Sequence, residues 1–486
     1  MSSRPRIHRR GAPRARLRHC LLLGGLLTSA SCAGSSRPRS SPDAGLADAG
    51  PVGLQRLNHV VVVVLENWSY DSLYGELAGA EGLSNAEDAP AQIDATGVAY
   101  QALPQTEVHL PQTIPNGPFA LDSYIPINDD TSTDLTNNFY EEQRQIHGGK
   151  MDQFVLYDSA AKGLTMGFYH TANLPLAAEA AKYTVCDHFF HGVYGGSLQN
   201  HIFLISAGVA TFAGAPATIK RAVLDADGTP VPDANGKPQD GPLTPDGHLI
   251  GTLFPAATPH PPATPADQLV PPQTFPTIGD RLSERNLDWA WYAEGWNEAN
   301  SNPTLNDAGT DPGTLFQYNH QPFVYFQGYG EGDPGRAHLK DEADFMAAAQ
   351  AGALPAVSFV KPDGIDNEHP NYTNVINGEA HALQLINAVR NGPNWADTAI
   401  IVTYDENGGF WDHVAPPPGD QWGPGTRVPT FVVSPFARKA FVDSTVYDSA
   451  SILALIEHRW GLSPLGARDA SAADLTKAFD FTQTQP

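Results

Sequence analysis

One short segment decides the fold of this chain: His59-Val60-Val61-Val62-Val63-Val64-Leu65, followed directly by Glu66-Asn67. An unbroken run of β-branched residues is typical of a strand buried on both faces, and such strands belong to parallel sheets covered by helices. Glu66 and Asn67 follow the carboxyl end of this run, and the carboxyl ends of parallel strands border the crevice in which ligands bind. The segment therefore predicts a buried strand that delivers two oxygen-bearing side chains to a site.

Similar apolar runs occur at residues 356–360, 399–404 and 430–434, and helical patterns lie between them, notably at 378–391 and 449–460. Strands that alternate with helices predict an α/β fold with a mostly parallel, doubly wound sheet and helices on both faces. We expect residues 55–486 to form a single domain.

A stretch rich in Pro, Gly and Asp interrupts this alternation between about residues 213 and 276. It has no clear period, which predicts an insertion. Long irregular segments of this kind serve either as functional lids or as tolerated decoration, and both alternatives stay open.

The first 32 residues have the layout of an export signal. Seven arginines precede Cys32, an apolar run covers residues 20–27, and small residues fill 29–31. The apolar run is too short to span a bilayer, so we predict a signal peptide at 1–32 and a tether at 33–54. Cys32 resembles a bacterial lipoprotein processing site, and lipidation and simple cleavage both remain open. The expected location is periplasmic, secreted or on the outer membrane.

The overall charge narrows the choice of partners. The formal net charge is -24, and loss of the seven arginines would leave about -31. Such a surface repels phosphate backbones and anionic bilayers, which excludes nucleic acid and leaves a lipid on Cys32 as the one predicted membrane attachment. A phosphorylated substrate would then need local cations, most simply metal ions.

The run at 399–404 ends in Asp405-Glu406-Asn407-Gly408-Gly409. In a parallel sheet these groups would converge with Glu66 and Asn67 at one edge. Carboxylates and a carboxamide form a hard, oxygen-rich ligand set that suits a divalent cation. The alternative is that both segments are ordinary helix caps and turns.

A glycine-rich turn, Gly192-Val193-Tyr194-Gly195-Gly196, leads into Ser197 and then into an apolar, helix-like stretch. A hydroxyl at a helix N-terminus lies in positive potential beside free backbone N–H groups, which favours a phosphoryl anion and lowers the pKa of the hydroxyl. Ser197 is therefore a candidate nucleophile that a metal ion could activate. The alternative is an ordinary serine cap.

Three motifs together resemble a known family. The segment at 65–71, Leu-Glu-Asn-Trp-Ser-Tyr-Asp, resembles the Glu-Asn-Arg-Ser-Phe-Asp signature of the phosphoesterase family of bacterial phospholipases C and acid phosphatases. Residues 187–201 resemble the nucleophile segment of that family, and residues 404–414, Tyr-Asp-Glu-Asn-Gly-Gly-Phe-Trp-Asp-His-Val, are the most specific match. The matches run in family order from about 57 to 463.

The resemblance implies an alkaline-phosphatase-like fold, a serine nucleophile and a bound divalent metal. His369 is then expected to contact the phosphoryl oxygens or to assist the leaving group, and His413 to line or support the site. The resemblance implies metal ligands at Glu66, Asn67, Ser197, Asp405 and Glu406, and substrate contacts at Asn67, Asn200, His201 and His413. Oxygen ligands admit calcium, magnesium or manganese, and nearby histidines admit zinc or iron.

Two positions depart from the family pattern: Asn137 or Asn138 and, near the end, Ser449 stand where relatives carry histidine. The expected function is metal-dependent hydrolysis of phosphoric esters through a phosphoserine, on a phosphorylated small molecule or a phospholipid. The Gly-Gly-Ser turn favours an acid phosphatase. The alternatives are a phospholipase C and a non-catalytic surface lipoprotein that keeps the fold.

Overall fold

The computed structural model describes residues 52–129, 133–234, 237–302 and 316–483. The predicted signal peptide, Cys32 and nearly all of the predicted tether lie outside these residues. Within the described part of the chain, none of the helices has both the length and the apolar character that a membrane crossing requires.

The described residues form twelve strands, of which eight make one large sheet. The strands are β1 (His59–Leu65), β2 (Phe119–Ala120), β3 (Gly167–Phe168), β4 (Thr184–Cys186), β5 (Phe189–Phe190), β6 (Trp289–Ala293), β7 (Leu339–Asp341), β8 (Val357–Lys361), β9 (Thr398–Tyr404), β10 (Thr430–Val433), β11 (Phe441–Asp443) and β12 (Tyr447–Asp448). The large sheet has the order β11-β4-β10-β9-β1-β8-β6-β7. β2 pairs with β3 and β5 pairs with β12 in two small sheets.

The large sheet is parallel except at β10, which runs antiparallel to both β9 and β4. β1 lies between β9 and β8 and is parallel to both. Val60 to Leu65 are all buried although successive side chains point to opposite faces, so the sheet is covered on both sides. The predicted α/β class with a mostly parallel sheet is confirmed.

Eleven α-helices accompany the strands in the described residues. They are α1 (Tyr70–Tyr74), α2 (Phe139–Ile146), α3 (Phe154–Tyr157), α4 (Pro175–Ala180), α5 (Ser197–Ser206), α6 (Ile278–Glu284), α7 (Trp296–Ser301), α8 (Glu342–Ala351), α9 (Val375–Arg390), α10 (Ser449–Trp460) and α11 (Ala467–Ser471). α9 packs against α4 and α8, whereas α5 packs against α10 and α6.

The segment between α5 and α6 is irregular in its described residues, with isolated bridges such as Leu224 to Pro230 in place of strands. It folds back onto α5, where the side-chain N–H of Gln199 donates to the carbonyl of Gly251 at 3.1 Å. The segment is therefore attached to the helix that begins with Ser197.

Candidate active site

The ends of β1 and β9 meet side by side. Leu65 pairs with Tyr404, and the N–H of Asp405 donates to the carbonyl of Leu65 at 3.0 Å. The N–H of Asn67 in turn donates to Oδ1 of Asp405 at 3.3 Å. The register of two neighbouring strands thus brings the two polar strand ends together.

Two residues with positive φ let these strand ends pass closely. Asn67 has φ 67°, a conformation that asparagine tolerates better than most residues, and Gly408 has φ 58°. A Cβ on Gly408 would lie 2.2 Å from the carbonyl oxygen of Asn67. A side chain at position 408 would therefore force the two strand ends apart.

Three buried side chains form a group that could hold a metal ion. Glu66, His201 and Asp405 offer ligand atoms that all lie within 4.8 Å of one another. Ser197 and His201 are four residues apart on α5, so one helix face carries both the predicted nucleophile and the histidine. His201, predicted as a substrate contact, thus lies beside the carboxylates.

Two further buried groups contact Glu66. Lys361 Nζ lies 2.9 Å and His320 Nε2 lies 3.0 Å from Oε1 of Glu66. Burial alone would raise the pKa of Glu66, but Lys361 and His320 outweigh it and hold this pKa well below its usual value. Glu66 is therefore ionised, as a metal ligand must be.

Two further carboxyl groups, of Asp405 and Glu406, are held towards their neutral forms. Burial and the nearby Glu66 raise the pKa of Asp405 to about 7, and burial and Asp405 raise that of Glu406 well above its usual value. Burial and Lys361 lower the pKa of His201, so its imidazole is neutral and able to bind a metal. A cation here would offset the repulsion between the carboxylates.

The fit of the site to a cation also follows from hydrogen bonding. Both polar atoms of the Asn67 carboxamide, and Oε2 of Glu66, are buried without a hydrogen-bond partner among the described residues. Such groups are costly to bury unless something satisfies them. Oxygen donors from Glu66, Asn67 and Asp405, with one neutral imidazole, suit a divalent ion.

Ser197 joins this group to a cleft. Its hydroxyl lies beside the Asp405 carboxyl and acts to lower the pKa of Asp405 against the effect of burial. Ser197 and His369 both line a cleft of about 190 Å³. Nδ1 of His369 lies 2.7 Å from the carbonyl of Pro370, so this nitrogen carries the proton and the ring is held in place.

The remaining predicted residues make hydrogen bonds within the protein. Glu406 accepts from the side chain of Asn137 at 2.5 Å and from the N–H of Gly408 at 2.5 Å, so both of its oxygens have partners other than a metal. Asn137 lines the cleft, which places the first departure from the family pattern at the site. The second departure, Ser449, begins α10 and is absent from the described lining of the cleft.

Asn200 and His413 take positions that differ from the predicted substrate contacts. The carboxamide of Asn200 donates to the carbonyls of Val193, Gly195 and Gly196 and accepts from the N–H of Val193, so it holds the turn. His413 bonds through Nδ1 to Asp71 at 2.6 Å, within a separate buried network. Both side chains are used within the protein instead of facing the cleft.

Several residues around the site went unpredicted. Lys361 is the last residue of β8, so the strand-end rule that selected Glu66 would have selected it as well. His320 lies in a short turn with no periodic signal, and Gln317, Asn319 and Tyr372 line the cleft from irregular segments. Their positions depend on tertiary packing, which no local pattern records.

Comparison with known proteins identifies the family of this chain. The profile of the phosphoesterase family matches residues 57–463. Phospholipase C A of Mycobacterium tuberculosis is 26% identical over 469 residues, covering 89% of this chain and 78% of the relative. The non-hemolytic phospholipase C of Pseudomonas aeruginosa is 25% identical over 481 residues, covering 88% of this chain and 58% of the relative.

Among solved structures, a protein in the alkaline phosphatase superfamily from Vibrio parahaemolyticus is 12% identical, with a TM-score of 0.31 over 64% of this chain and 65% of that one. The family profile spans most of the chain and includes both strand ends and the Ser197 turn. The chain therefore belongs to the phosphoesterase family and is a phosphoric-ester hydrolase.

Proposed function

We propose that this chain is an exported, metal-dependent hydrolase of phosphoric esters that acts through a phosphoserine at Ser197. The observation that carries the proposal is the buried group of Glu66, His201 and Asp405, with Ser197 one helical turn before His201 and its hydroxyl beside Asp405. A nucleophile at a helix N-terminus beside a charged oxygen cluster is what phosphoryl transfer requires.

Glu66, Asn67, Asp405 and His201 would hold the metal ion, with the Ser197 oxygen beside them. When bound, a divalent ion supplies positive charge that stabilises the phosphoryl oxygens and favours the alkoxide of the serine. Glu406 and Asn137 would support this arrangement, because Glu406 braces Gly408 and accepts from Asn137 next to the cleft.

Ser197 Oγ would attack phosphorus in line with the leaving oxygen, so that the bond to the alkoxide breaks as the phosphoserine bond forms, and the serine proton ends on that departing oxygen. His369 lines the same cleft and would contact the phosphoryl oxygens or deliver the proton to the departing alkoxide. Water would then cleave the phosphoserine, releasing phosphate and restoring the hydroxyl of Ser197. The N–H groups at the start of α5 would orient the anion.

The substrate that we favour is a phosphomonoester with a small leaving group. A cleft of about 190 Å³ has room for a phosphoryl group and a small alcohol, and carboxamides of Asn137, Asn138 and Gln317 line it. A phospholipase C is the second candidate, favoured because the relatives in Mycobacterium and Pseudomonas carry that name.

Purified protein assayed on p-nitrophenyl phosphate, p-nitrophenyl phosphorylcholine and a phospholipid, with and without chelator, separates the two candidates. We expect Ser197→Ala to lower turnover at least about a thousandfold while the protein stays folded. Asp405→Ala should lose bound metal, measured by elemental analysis. Full activity in Ser197→Ala, or in excess chelator, would contradict the proposal.

A further inference from the structure

The turn at residues 192–196, which precedes Ser197, is hydrogen-bonded to a buried carboxylate of helix α2. Glu142 of α2 has a side chain that is 1% exposed. Its Oε2 accepts from the N–H of Gly195 at 2.6 Å. Its Oε1 accepts from Nε2 of His191 at 2.7 Å and from the N–H of Thr426 at 2.9 Å. One carboxylate thus connects both ends of the turn to the loop that carries Thr426.

His191 completes the connection and is doubly protonated on geometric grounds. Nε2 faces Glu142, and Nδ1 faces the carbonyl of Val193 at 2.9 Å and Oδ1 of Asn200 at 3.3 Å. Every one of these neighbours is a hydrogen-bond acceptor, so both ring nitrogens must donate. Burial opposes the charge on both groups, yet their ion pair outweighs it, keeping the pKa of His191 above and that of Glu142 below the usual value.

The backbone of Gly195 packs closely against the start of α2. Gly195 has φ 86°, and a Cβ there would lie 2.6 Å from the N–H nitrogen of Phe139, at the start of α2. The turn is therefore pressed onto α2 two residues before Ser197. A small shift of Gly195 would move the first residue of α5, and with it the Ser197 hydroxyl.

We infer that Glu142 and His191 form a positioning ion pair, which holds the 192–196 turn on α2 so that Ser197 Oγ stays against Asp405. The inference rests on the proposed function, in which Ser197 is the nucleophile. Neither residue contacts the substrate. Glu142 and His191 would affect the rate by fixing the position from which Ser197 Oγ attacks phosphorus. Misplacement of a reacting group by about 1 Å can lower a rate about a hundredfold.

Glu142→Gln tests this inference because every partner of the carboxylate is a donor. The new amide NH₂ group must face the backbone N–H of either Gly195 or Thr426, neither of which can accept, so one of the two attachments is lost. We expect kcat on p-nitrophenyl phosphate to fall about thirtyfold to a hundredfold, with KM within about threefold of the wild-type value and bound metal unchanged.

Glu141→Gln is the matched control. Glu141 is the preceding residue of α2, is also buried, and lies 3.8 Å from Arg144 in an ion pair away from the turn. Its kcat should equal that of the wild type. A purely structural role for Glu142 would lower the melting temperature and the yield of active enzyme while leaving kcat per folded, metal-loaded molecule unchanged, and that outcome would overturn the inference.

Glu142→Asp keeps the test open if the glutamine variant fails to fold. The shorter side chain retains its charge but cannot reach Gly195 and His191 together, so a similar loss of kcat at constant KM is expected. Wild-type kcat in this variant would refute the positioning role. Ser197→Ala in the same assay separates the two proposals. An active Ser197→Ala enzyme would contradict Ser197 as the nucleophile. An inactive Ser197→Ala enzyme together with a fully active Glu142→Gln enzyme would contradict only the positioning role of the ion pair.

Discussion

At the scale of single residues, one buried guanidinium connects several loops of the fold. Arg427 is fully buried and donates to Oδ1 of Asp412 at 2.8 Å and to Oδ1 of Asp71 at 3.1 Å. It also donates to the carbonyls of Glu81 and Asp187. These partners follow β1, β4 and β9, so one side chain connects the loops that build the site.

Arg427→Met should therefore destabilise the fold strongly. It leaves the carboxylate of Asp412 buried without its cation and Asp71 with His413 alone. Breaking comparable buried pairs costs about 3–5 kcal/mol. Urea denaturation followed by circular dichroism measures the change. Arg281→Met, which removes an ion pair with the largely exposed side chain of Glu284, should change stability by less than about 1 kcal/mol. Equal losses in the two variants would contradict this ranking.

At the scale of elements, the irregular segment after α5 divides into an outer and an inner part. In the outer part, the N–H of Val223 donates to the carbonyl of Gln239 at 2.8 Å, so the chain leaves and returns at almost the same point. In the inner part, Ile250, Gly251 and Thr252 line the cleft. The inner part thus forms part of the cleft wall, and we expect the outer part to be the tolerated decoration.

We expect residues 224–238 to be dispensable. Because Val223 and Gln239 are neighbours, a two-glycine linker can join them, and the deletion should leave kcat/KM within about threefold of the wild-type value. Thr252→Trp, a single change at the exposed rim of the cleft, should instead raise KM, and more for bulky esters than for p-nitrophenyl phosphate. Loss of activity in the deletion variant would show that the outer part also shapes the site.

At the scale of the whole molecule, the sequence predicts the sheet better than the site. The apolar run at 59–65 coincides with β1, and the helical pattern at 449–460 coincides with α10. Both were predictable because continuous burial and helix caps require particular residue types at consecutive positions. The antiparallel direction of β10 depends on its connection to β9, which no periodicity records. Strand ends predicted Glu66 and Asp405, whereas His320 and Glu142 reach the site only through tertiary packing.

The whole chain should be more stable in mild acid than in mild base. Burial raises the pKa of Glu379 to about 7 and, with nearby carboxylates, that of Glu294 and Glu457 to about 8, from 4.5. Such carboxyl groups keep their protons when folded and release them on unfolding, so stability falls as pH rises from about 4.5 towards these values. His381 changes the free energy of unfolding in the same direction. Nearby carboxylates outweigh the effect of burial and raise the pKa of His381 from 6.5 to about 9. The stability that this charged histidine contributes is therefore lost as pH rises through about 9.

The free energy of unfolding should therefore decrease between about pH 6.5 and pH 8.5, above the range in which the lowered pKa values of His201 and His320 act in the opposite direction. The net charge of -24 adds repulsion in the same direction as the carboxyl groups. Urea titrations in excess chelator measure this, since chelation removes the separate linkage between metal binding and pH. Glu379→Gln should be more stable than the wild type at pH 8.5 by about 1–3 kcal/mol and equal to it near pH 5, because a neutral amide no longer has to be buried as an anion. A wild-type stability that rises over this range, or a variant that is weaker at pH 8.5, would mean that these carboxyl groups are solvated in the folded protein.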